Sequence, residues 1–564
     1  MKRIIVCAAV LILLLPLPSP SAAQQANDPL LAVMTAELQR SFASLKKTET
    51  PPYFLSYQLT DNRAVTVTSS FGALTDSNQS HTRLLDVDLR VGDPALDNSH
   101  PLREASFSMS NLTDRFQSTK IPLDDDPDAL RMALWYVTDQ KYKRAVERLQ
   151  QVKANVTVKV EAEDKSGDFS QEPAETYSEP VAPFSFDTKA WETKARRYTE
   201  PFKNHTEILG ANAQVIAEIE TRRYVNSDGS AIRISSPFYR LIISASITAD
   251  DGMQLPLHQT YMAFHENGLP GDDTVLRDVN RMVSNLLALR KAPLAEAYTG
   301  PAILSGRASS VFFHEIFGHR IEGQRQKNED EAQTFKKKVN QEVLPDFLSV
   351  YSDPTLQHTA NTDLVGYYLY DDEGVKARRV TVVEDGVLKN FLTSRSPIEG
   401  FPHSNGHGRR QQGYQSTARQ ANLLVVSKKE VTRAQLKKVL IDQVKAANKP
   451  YGLLFDDIEG GFTFTQRILP NAFNVRPTLV YRIYPDGREE LVRGVDLIGT
   501  PLIAFSKIVA ADDDTEVFNG MCGAESGWVP VSASSPGLLI SQIETQRKEK
   551  SQERLPILPP PSGN

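Results

Sequence analysis

The six residues from His314 to His319 constrain the fold of this chain more than any other feature, because the two histidines are five residues apart. In the common zinc-binding pattern, the two histidines are four residues apart and share one face of a helix. At about 100° per residue, an interval of five places the second imidazole roughly 140° around the helix from the first. A regular helix could not direct both side chains at one ion. The spacing therefore predicts a helix that unwinds or bulges between Ile316 and His319, with Gly318 as the residue that tolerates the break.

The same segment and Cys522 together offer side chains that suit a metal ion. Two imidazoles and a thiolate are good ligands for Zn²⁺, and they leave a fourth position open for water at a catalytic site. Glu315, beside the first histidine, could take a proton from that water. Cys522 lies in the glycine-rich segment 519–527, which can bend to present one side chain. Two alternatives stay open: the histidines could be hydrogen-bonded packing residues, and Cys522 could be a small buried hydrophobic residue.

The N-terminus has the pattern of a secretory signal. Lys2 and Arg3 precede an apolar run at 4–15, and Ser21-Ala22-Ala23 supplies the small residues of a cleavage site. The run is shorter than the ~20 residues that span a bilayer. We therefore predict removal of residues 1–23, an exported protein in the periplasm or outside the cell, and no stable membrane anchor. Cys7 would leave with the signal, so Cys522 would be the only cysteine of the mature chain.

Length and composition place the chain among multidomain globular proteins. It has 564 residues, of which 40% are hydrophobic and 24% charged. No basic cluster suggests a nucleic-acid surface. We predict an α+β fold with N-terminal helices packed on a mostly antiparallel sheet, and a strand-rich, barrel-like C-terminal domain, with the metal motif on a helix near the domain junction. The predicted divisions are a signal segment 1–23, an N-terminal α+β domain 24–295, a C-terminal β-rich domain 296–545 that completes the metal site, and a disordered tail 546–564.

Hydrophobic periodicity and capping residues predict the individual elements. Helices are predicted at 28–45, 124–153, 272–292 and 305–318. Alternating stretches at 53–60, 63–71 and 81–91 predict an antiparallel meander with turns at 61–62 and 72–78. Asn226-Ser227-Asp228-Gly229 predicts a hairpin turn, and 300–304 a short buried strand before the metal helix.

A series of short segments, in a fixed order over roughly residues 300–540, resembles the TldD/PmbA family of metallopeptidases, and specifically its metal-bearing TldD branch. The resemblance depends on Gly300-Pro301-Ala302-Ile303-Leu304, His314-Glu315-Ile316-Phe317-Gly318-His319-Arg320-Ile321-Glu322-Gly323, Asp371-Asp372-Glu373-Gly374, Glu384-Asp385-Gly386-Val387-Leu388, Leu392-Thr393-Ser394-Arg395, Gly406-His407-Gly408-Arg409, Gly460-Gly461 and Gly520-Met521-Cys522-Gly523.

The resemblance implies one Zn²⁺ per chain, bound by His314, His319 and Cys522, with Glu315 as the general base. The PmbA branch lacks the zinc residues, whereas this chain has all of them. Two features depart from the family pattern. Gln324 stands where the family often has an acidic residue, and family members are commonly cytoplasmic whereas this chain carries the predicted export signal.

Further residues are candidates for the surroundings of the metal. His407, Arg409 and Arg410 could stabilise a developing oxyanion, although a solvated basic loop would explain them equally well. Glu322, three residues after His319, could orient an imidazole, or it could be a surface acid.

Together these patterns predict a zinc-dependent peptidase that cleaves flexible or unfolded peptides by Glu-assisted attack of a metal-activated water. An extended peptide would pair with an exposed sheet edge in the strand-rich domain. The predicted assembly is a homodimer or a heterodimer with a related family member. Two alternatives remain: an exported non-peptidic zinc hydrolase, and a binding or scaffold subunit whose metal is not catalytic.

Overall fold

A computed structural model of the chain describes residues 28–102, 118–157, 164–359, 362–463, 465, 473–499, 501–548 and 555–558. The predicted signal segment lies outside the described residues, as does most of the predicted tail. The last strand continues to Arg547, two residues into that tail. Within the described part of the chain, no helix has both the length and the apolar character that a bilayer crossing requires.

The N-terminal part is built on one sheet of eight described strands in the order β3-β2-β1-β6-β7-β5, with β4 paired to β2 and β8 paired to β7. Its pairs are antiparallel except β5 with β7. Its strands are β1 Pro52–Ser70, β2 Ala73–Asp93, β3 Leu96–Asp97, β4 Thr119–Lys120, β5 Thr176–Ser178, β6 Ile208–Asn226, β7 Ala231–Thr248 and β8 Gln254–Ala263.

The predicted meander is present, but the first two predicted strands form one continuous strand, β1. Residues 61–62, predicted as a turn, lie inside β1, where Asp61 pairs with Arg83 of β2 and Thr221 of β6. The Asp61 carboxylate accepts a hydrogen bond from Arg83 Nε at 2.7 Å, so a polar residue that is typical of turns is held by a cross-strand ion pair. The following turn is also shorter than predicted, because β2 already begins at Ala73. The predicted hairpin turn at 226–229 joins β6 to β7 as expected.

Four helices cover this sheet: α1 Pro29–Leu45, α2 Pro127–Thr157, α3 Thr188–Thr199 and α4 Asp272–Lys291. Asp28 caps α1 by accepting a hydrogen bond from the Leu31 amide at 3.1 Å, as its position before a proline predicts. One apolar core joins α1 and α2 to β1 and β2, and a second joins α3 and α4 to β6, β7 and β8. The fold is α+β, with helices packed on a mostly antiparallel sheet.

The C-terminal part is strand-rich. Its strands are β9 Tyr298–Leu304, β10 Leu348–Ser352, β11 His358–Thr359, β12 Thr362–Asp363, β13 Val380–Glu384, β14 Val387–Leu388, β15 Gly408–Arg409, β16 Thr417–Ala418, β17 Asn422–Ser427, β18 Glu430–Val431, β19 Gly452–Thr463, β20 Phe473–Ile483, β21 Glu489–Val492, β22 Val495–Gly499, β23 Ile508–Asp512, β24 Glu516–Ala524, β25 Gly527–Ser535 and β26 Leu538–Arg547. Its helices are α5 Gly306–Phe312, α6 Gln324–Lys327, α7 Arg433–Ala446 and α8 Pro501–Ser506.

Two sheets of this part enclose the segment that carries the histidines. Strands β9, β19, β20, β22 and β26 form a closed barrel, because β26 pairs with β9 as well as with β22. A second sheet has the order β14-β13-β10-β17-β25-β24. Helix α5 follows β9 directly and contacts β19 of the barrel and the β24–β25 hairpin of the second sheet. The continuation of α5 therefore meets Cys522 on β24.

Candidate metal centre

The helix that carries the two histidines changes its winding at the motif. Regular α-helix ends at Phe312, a π turn covers Phe313–Phe317, and a 3-10 turn covers Gly318–Arg320. The predicted distortion is confirmed, and it begins earlier than Ile316. The wider π turn brings the two imidazoles to the same side, with ring centroids 5.2 Å apart.

Gly318 is required for a different reason from the one expected. Its φ of −59° is ordinary helical backbone, which any residue adopts. A Cβ at this position would lie 1.8 Å from Oε1 of Gln420. The same Gln420 side chain donates a hydrogen bond from Nε2 to the His314 carbonyl at 3.1 Å. The glycine therefore makes room for a glutamine that spans the distorted turn.

His314, His319 and Cys522 come together in the interior of the protein. One ligand atom from each lies within 4.8 Å of the others, and all three residues are buried. Cys522 Sγ lies 3.4 Å from His319 Nε2. Cys522 lies on β24 and packs against Val529 and Val531 of the neighbouring strand β25.

The donor set fits a zinc ion. A tetrahedral zinc with its usual bond lengths holds a sulfur and a nitrogen about 3.5 Å apart, and the observed sulfur–nitrogen separation is 3.4 Å. His314 Nδ1 is buried and has no hydrogen-bond partner among the residues that the structure describes. Two imidazoles and a thiolate bind zinc in preference to magnesium or calcium.

Charges around the cluster favour a cation. Burial alone would raise the pKa of the Cys522 thiol, but the neighbouring His319 and His314 outweigh burial and hold it well below its ordinary value. Burial would lower the pKa of His319, yet the thiolate and Glu322 raise it to about 10. The lowered pKa favours the thiolate, the form of cysteine that binds metals.

Glu322 binds the nitrogen of His319 that points away from Cys522. Its carboxylate accepts hydrogen bonds from His319 Nδ1 at 3.2 Å and from Arg325 Nε at 3.0 Å. Burial opposes its charge, but His319 and Arg325 outweigh burial and lower the pKa of Glu322 to about 2. The predicted contact with an imidazole is present, and the alternative of a surface acid is wrong, because the Glu322 side chain is fully buried.

Glu315 lies beside the cluster and keeps contact with solvent. Its Oε2 is 3.9 Å from His319 Nε2, and its side chain is 13% exposed, whereas that of His319 is 8% exposed. The Glu315 carboxylate is therefore close to the candidate ligand His319 and is also accessible to solvent.

The three residues proposed for an oxyanion are engaged within the protein. His407 Nδ1 donates to Asn405 Oδ1 at 3.0 Å, and His407 Nε2 forms a hydrogen bond with Ser352 Oγ at 2.9 Å. Burial lowers the pKa of His407 to about 3. Arg409 donates to two backbone carbonyls, of Gln420 at 2.8 Å and Pro530 at 2.7 Å.

Arg410 donates to the Tyr414 carbonyl at 3.2 Å and to Gln58 Oε1 at 3.3 Å. The alternative of a solvated basic loop is wrong for His407 and Arg409, because both are buried. Their role toward a substrate stays a prediction.

Sequence reasoning missed two supporting residues, Arg419 and Gln420. Arg419 donates to the Cys522 carbonyl at 2.7 Å and to Ser526 Oγ at 2.8 Å, so it braces the hairpin that carries the thiol. Both are almost fully buried polar residues directly before the apolar strand β17. That position was the available signal, since buried polar side chains need partners.

Comparisons with known proteins find metallopeptidases. Residues 297–547 match the model of the PmbA/TldA metallopeptidase C-terminal domain. A metalloprotease of Archaeoglobus fulgidus is 27% identical over 48% of this chain and 58% of its own length. A zinc metalloprotease TldD homolog of Saccharolobus solfataricus is 23% identical over 47% of this chain and 57% of its own length. The matched segments thus span less than two thirds of either relative.

The fold itself has a solved counterpart. The crystal structure of TldE from Thermococcus kodakarensis superimposes with a TM-score of 0.60 and covers 91% of this chain and 100% of its own, at 14% sequence identity. At that identity the likeness concerns the fold.

Proposed function

We propose that this chain is a zinc-dependent peptidase of the TldD/PmbA family that acts on flexible or unfolded peptides, since residues 297–547 match the PmbA/TldA metallopeptidase C-terminal domain. The observation that carries the proposal is the convergence of His314, His319 and Cys522 beside the partly exposed Glu315.

His314, His319 and Cys522 would hold one zinc ion. Bound zinc supplies Lewis-acid chemistry, which polarises a carbonyl oxygen and makes water nucleophilic near neutral pH. The chain contributes the orientation of these ligands, because Glu322 fixes His319 through Nδ1 and Gln420 fixes the backbone at His314.

Glu315 would serve as the general base. Its carboxylate would accept a proton from water as the oxygen attacks a peptide carbonyl, and it would then deliver the proton to the leaving amine nitrogen. Its solvent contact supports this role, since the water that it deprotonates must reach the carboxylate.

The position of β24 supports an extended substrate. It carries Cys522 and stands at the end of its sheet, where it pairs with β25 alone among the described strands. A peptide could therefore add to the edge of β24 that faces away from β25 through backbone hydrogen bonds, which requires an unfolded segment. We propose further that the chain assembles as a homodimer or as a heterodimer with a related family member.

The test separates catalysis from metal binding. Glu315→Gln should retain zinc while hydrolysis of an unstructured peptide falls by about 10²–10⁴-fold, the usual contribution of a general base. Cys522→Ala should lose zinc. Zinc content by elemental analysis and cleavage by mass spectrometry give the two readouts.

Glu430→Gln, a change of the same kind on an exposed residue of β18, should alter neither quantity. Unchanged hydrolysis by Glu315→Gln would contradict the proposed base. Hydrolysis of non-peptidic amides alone would favour the non-peptidic hydrolase.

A further inference from the structure

One aromatic ring lies on the same face of β24 as Cys522. Alternate residues of a strand share a face, so Phe518, Gly520 and Cys522 point the same way. A Cβ at Gly520 would lie 2.6 Å from Phe518 Cζ. The tip of the ring therefore covers Gly520 and extends along the strand toward the thiol.

The ring also approaches the other ligands. Its centroid is 6.4 Å from that of His314. Phe518 is only partly buried, although it packs against the main C-terminal core. It thus presents apolar surface to the space beside the candidate metal cluster.

The ring also has a fixed cation as a neighbour. The Arg307 guanidinium lies 5.6 Å from the ring centroid. Its Nε donates to Asp457 Oδ1 at 2.7 Å, and its backbone amide donates to Glu516 Oε2 at 2.8 Å. The ring is therefore a neighbour both of the cluster and of an ion pair, Arg307 with Asp457, whose charges are opposite.

We propose that Phe518 forms the apolar wall of the substrate subsite next to the metal cluster and takes an aromatic or aliphatic side chain that flanks the cleaved bond. This inference rests on the proposed function and names the substrate class within it. Burying such a side chain against the ring is favourable by ~25 cal/mol per Å² of apolar surface.

The charges around the subsite reject acidic side chains. Glu315 lies beside His319, and Arg307, the cation near the ring, is already engaged by Asp457 through its guanidinium and by Glu516 through its backbone amide. An acidic substrate residue would meet like charges and would lose its hydration without gaining a partner.

The experiment compares peptides that differ only at the residue flanking the cleaved bond, which is Phe, Leu, Ala or Glu. The zinc-loaded wild type should prefer Phe and Leu. Phe518→Ala should lower kcat/KM for these two peptides by about 10-fold, mainly through KM, and leave the Ala peptide within about threefold. Phe518→Leu should keep the preference for Leu over Ala, which guards against a general loss of structure.

Trp528→Ala is the matched control. Trp528 is a 59% exposed aromatic residue of the same hairpin, but it pairs with Gly523 and so lies on the opposite face from Cys522. Trp528→Ala should leave the preference for the Phe and Leu peptides unchanged. An equal loss for all four peptides in Phe518→Ala, or a preference that persists in full, would overturn the subsite.

A binding measurement distinguishes this proposal from the proposed function. If the wild type cleaves none of the peptides, the proposed peptidase activity fails. The affinities of the same labelled peptides for zinc-loaded Glu315→Gln, with and without Phe518→Ala, still decide the subsite: loss of the Phe and Leu preference supports it, and equal affinities contradict it.

Discussion

At the residue scale, Glu220 is an acidic side chain placed where its charge is unfavourable. Burial and the neighbouring Glu218 raise its pKa to about 7, against the attraction of Arg222. It lies on β6 and accepts a hydrogen bond from Gln412 Nε2 at 2.6 Å. It therefore joins the N-terminal sheet to the loop between β15 and β16.

Glu220 should make folding less favourable as the pH rises. Its folded pKa is above the unfolded value of ~4.3, so its stabilising contribution is complete below that value and is lost as the pH rises through about 7. Glu220→Gln cannot ionise and should be more stable than the wild type by about 1–2 kcal/mol at pH 8, with little difference at pH 4.5. Urea unfolding at both pH values measures this.

The exposed Glu296 offers a control for this prediction. Glu296→Gln should shift stability equally at the two pH values. Parallel pH dependence of the wild type and Glu220→Gln would show that Glu220 does not titrate in this range.

Residue chemistry explains which members of the cluster were predictable. Histidine, glutamate and cysteine carry their chemistry in the side chain itself, so His314, Glu315, His319 and Cys522 could be proposed from type and spacing. The role of Gln420 could not, because glutamine has no chemistry that marks a metal site. It matters only because the segment between β16 and β17 brings its side chain to the His314 carbonyl in the π turn.

At the scale of the element, the π turn depends on the fit between Gly318 and Gln420. Gly318→Ala places a methyl group where Gln420 Oε1 lies, so the turn or the glutamine must shift. We expect zinc affinity to fall by about 10–100-fold, as when a group that orients ligands is lost. Competition with a chelator measures this affinity.

The double variant shows whether the clash is the cause. Removing the glutamine as well, in Gly318→Ala with Gln420→Ala, should recover part of the lost affinity, so the two losses are not additive. Gly271→Ala is the control, because a Cβ there meets nothing within 4 Å. Strictly additive losses would contradict the fit.

Periodicity predicted whole elements better than their interruptions. Helices α1 and α4 follow their apolar spacing closely, since one face of each is buried on the sheet. The predicted turn at 61–62 failed because Asp61 and Asn62 are polar in sequence but are paired across strands with Arg83 and Glu218. Local composition does not reveal such a partner.

At the scale of the whole molecule, we propose that residues 1–23 direct export and are removed. Lys2, Arg3, the apolar run 4–15 and the small residues 21–23 have the form that signal peptidases recognise. Expression of the full chain in a bacterial host should give an exported protein that begins at Gln24, and intact-mass spectrometry determines its N-terminus.

A variant with a charge inside the apolar run 4–15 tests whether this run directs export. Leu13→Arg should leave a full-length chain inside the cell, because the run would no longer partition into a membrane. An exported protein that retains residue 1, or a wild type that stays inside at full length, would contradict the proposal.

The sequence by itself determined the candidate ligands, the need for a distorted helix and the α+β class. These depend on side-chain chemistry, helical geometry and hydrophobic periodicity, which are local properties. Only the tertiary structure decided that Glu322 is buried and not a surface acid, since Arg419 and other distant residues enclose it. It also decided that Gln420 and Arg419 support the cluster and that Phe518 lies beside it. Those facts depend on which strands meet around α5, and contacts between residues some 100 to 200 positions apart leave no local trace in one sequence.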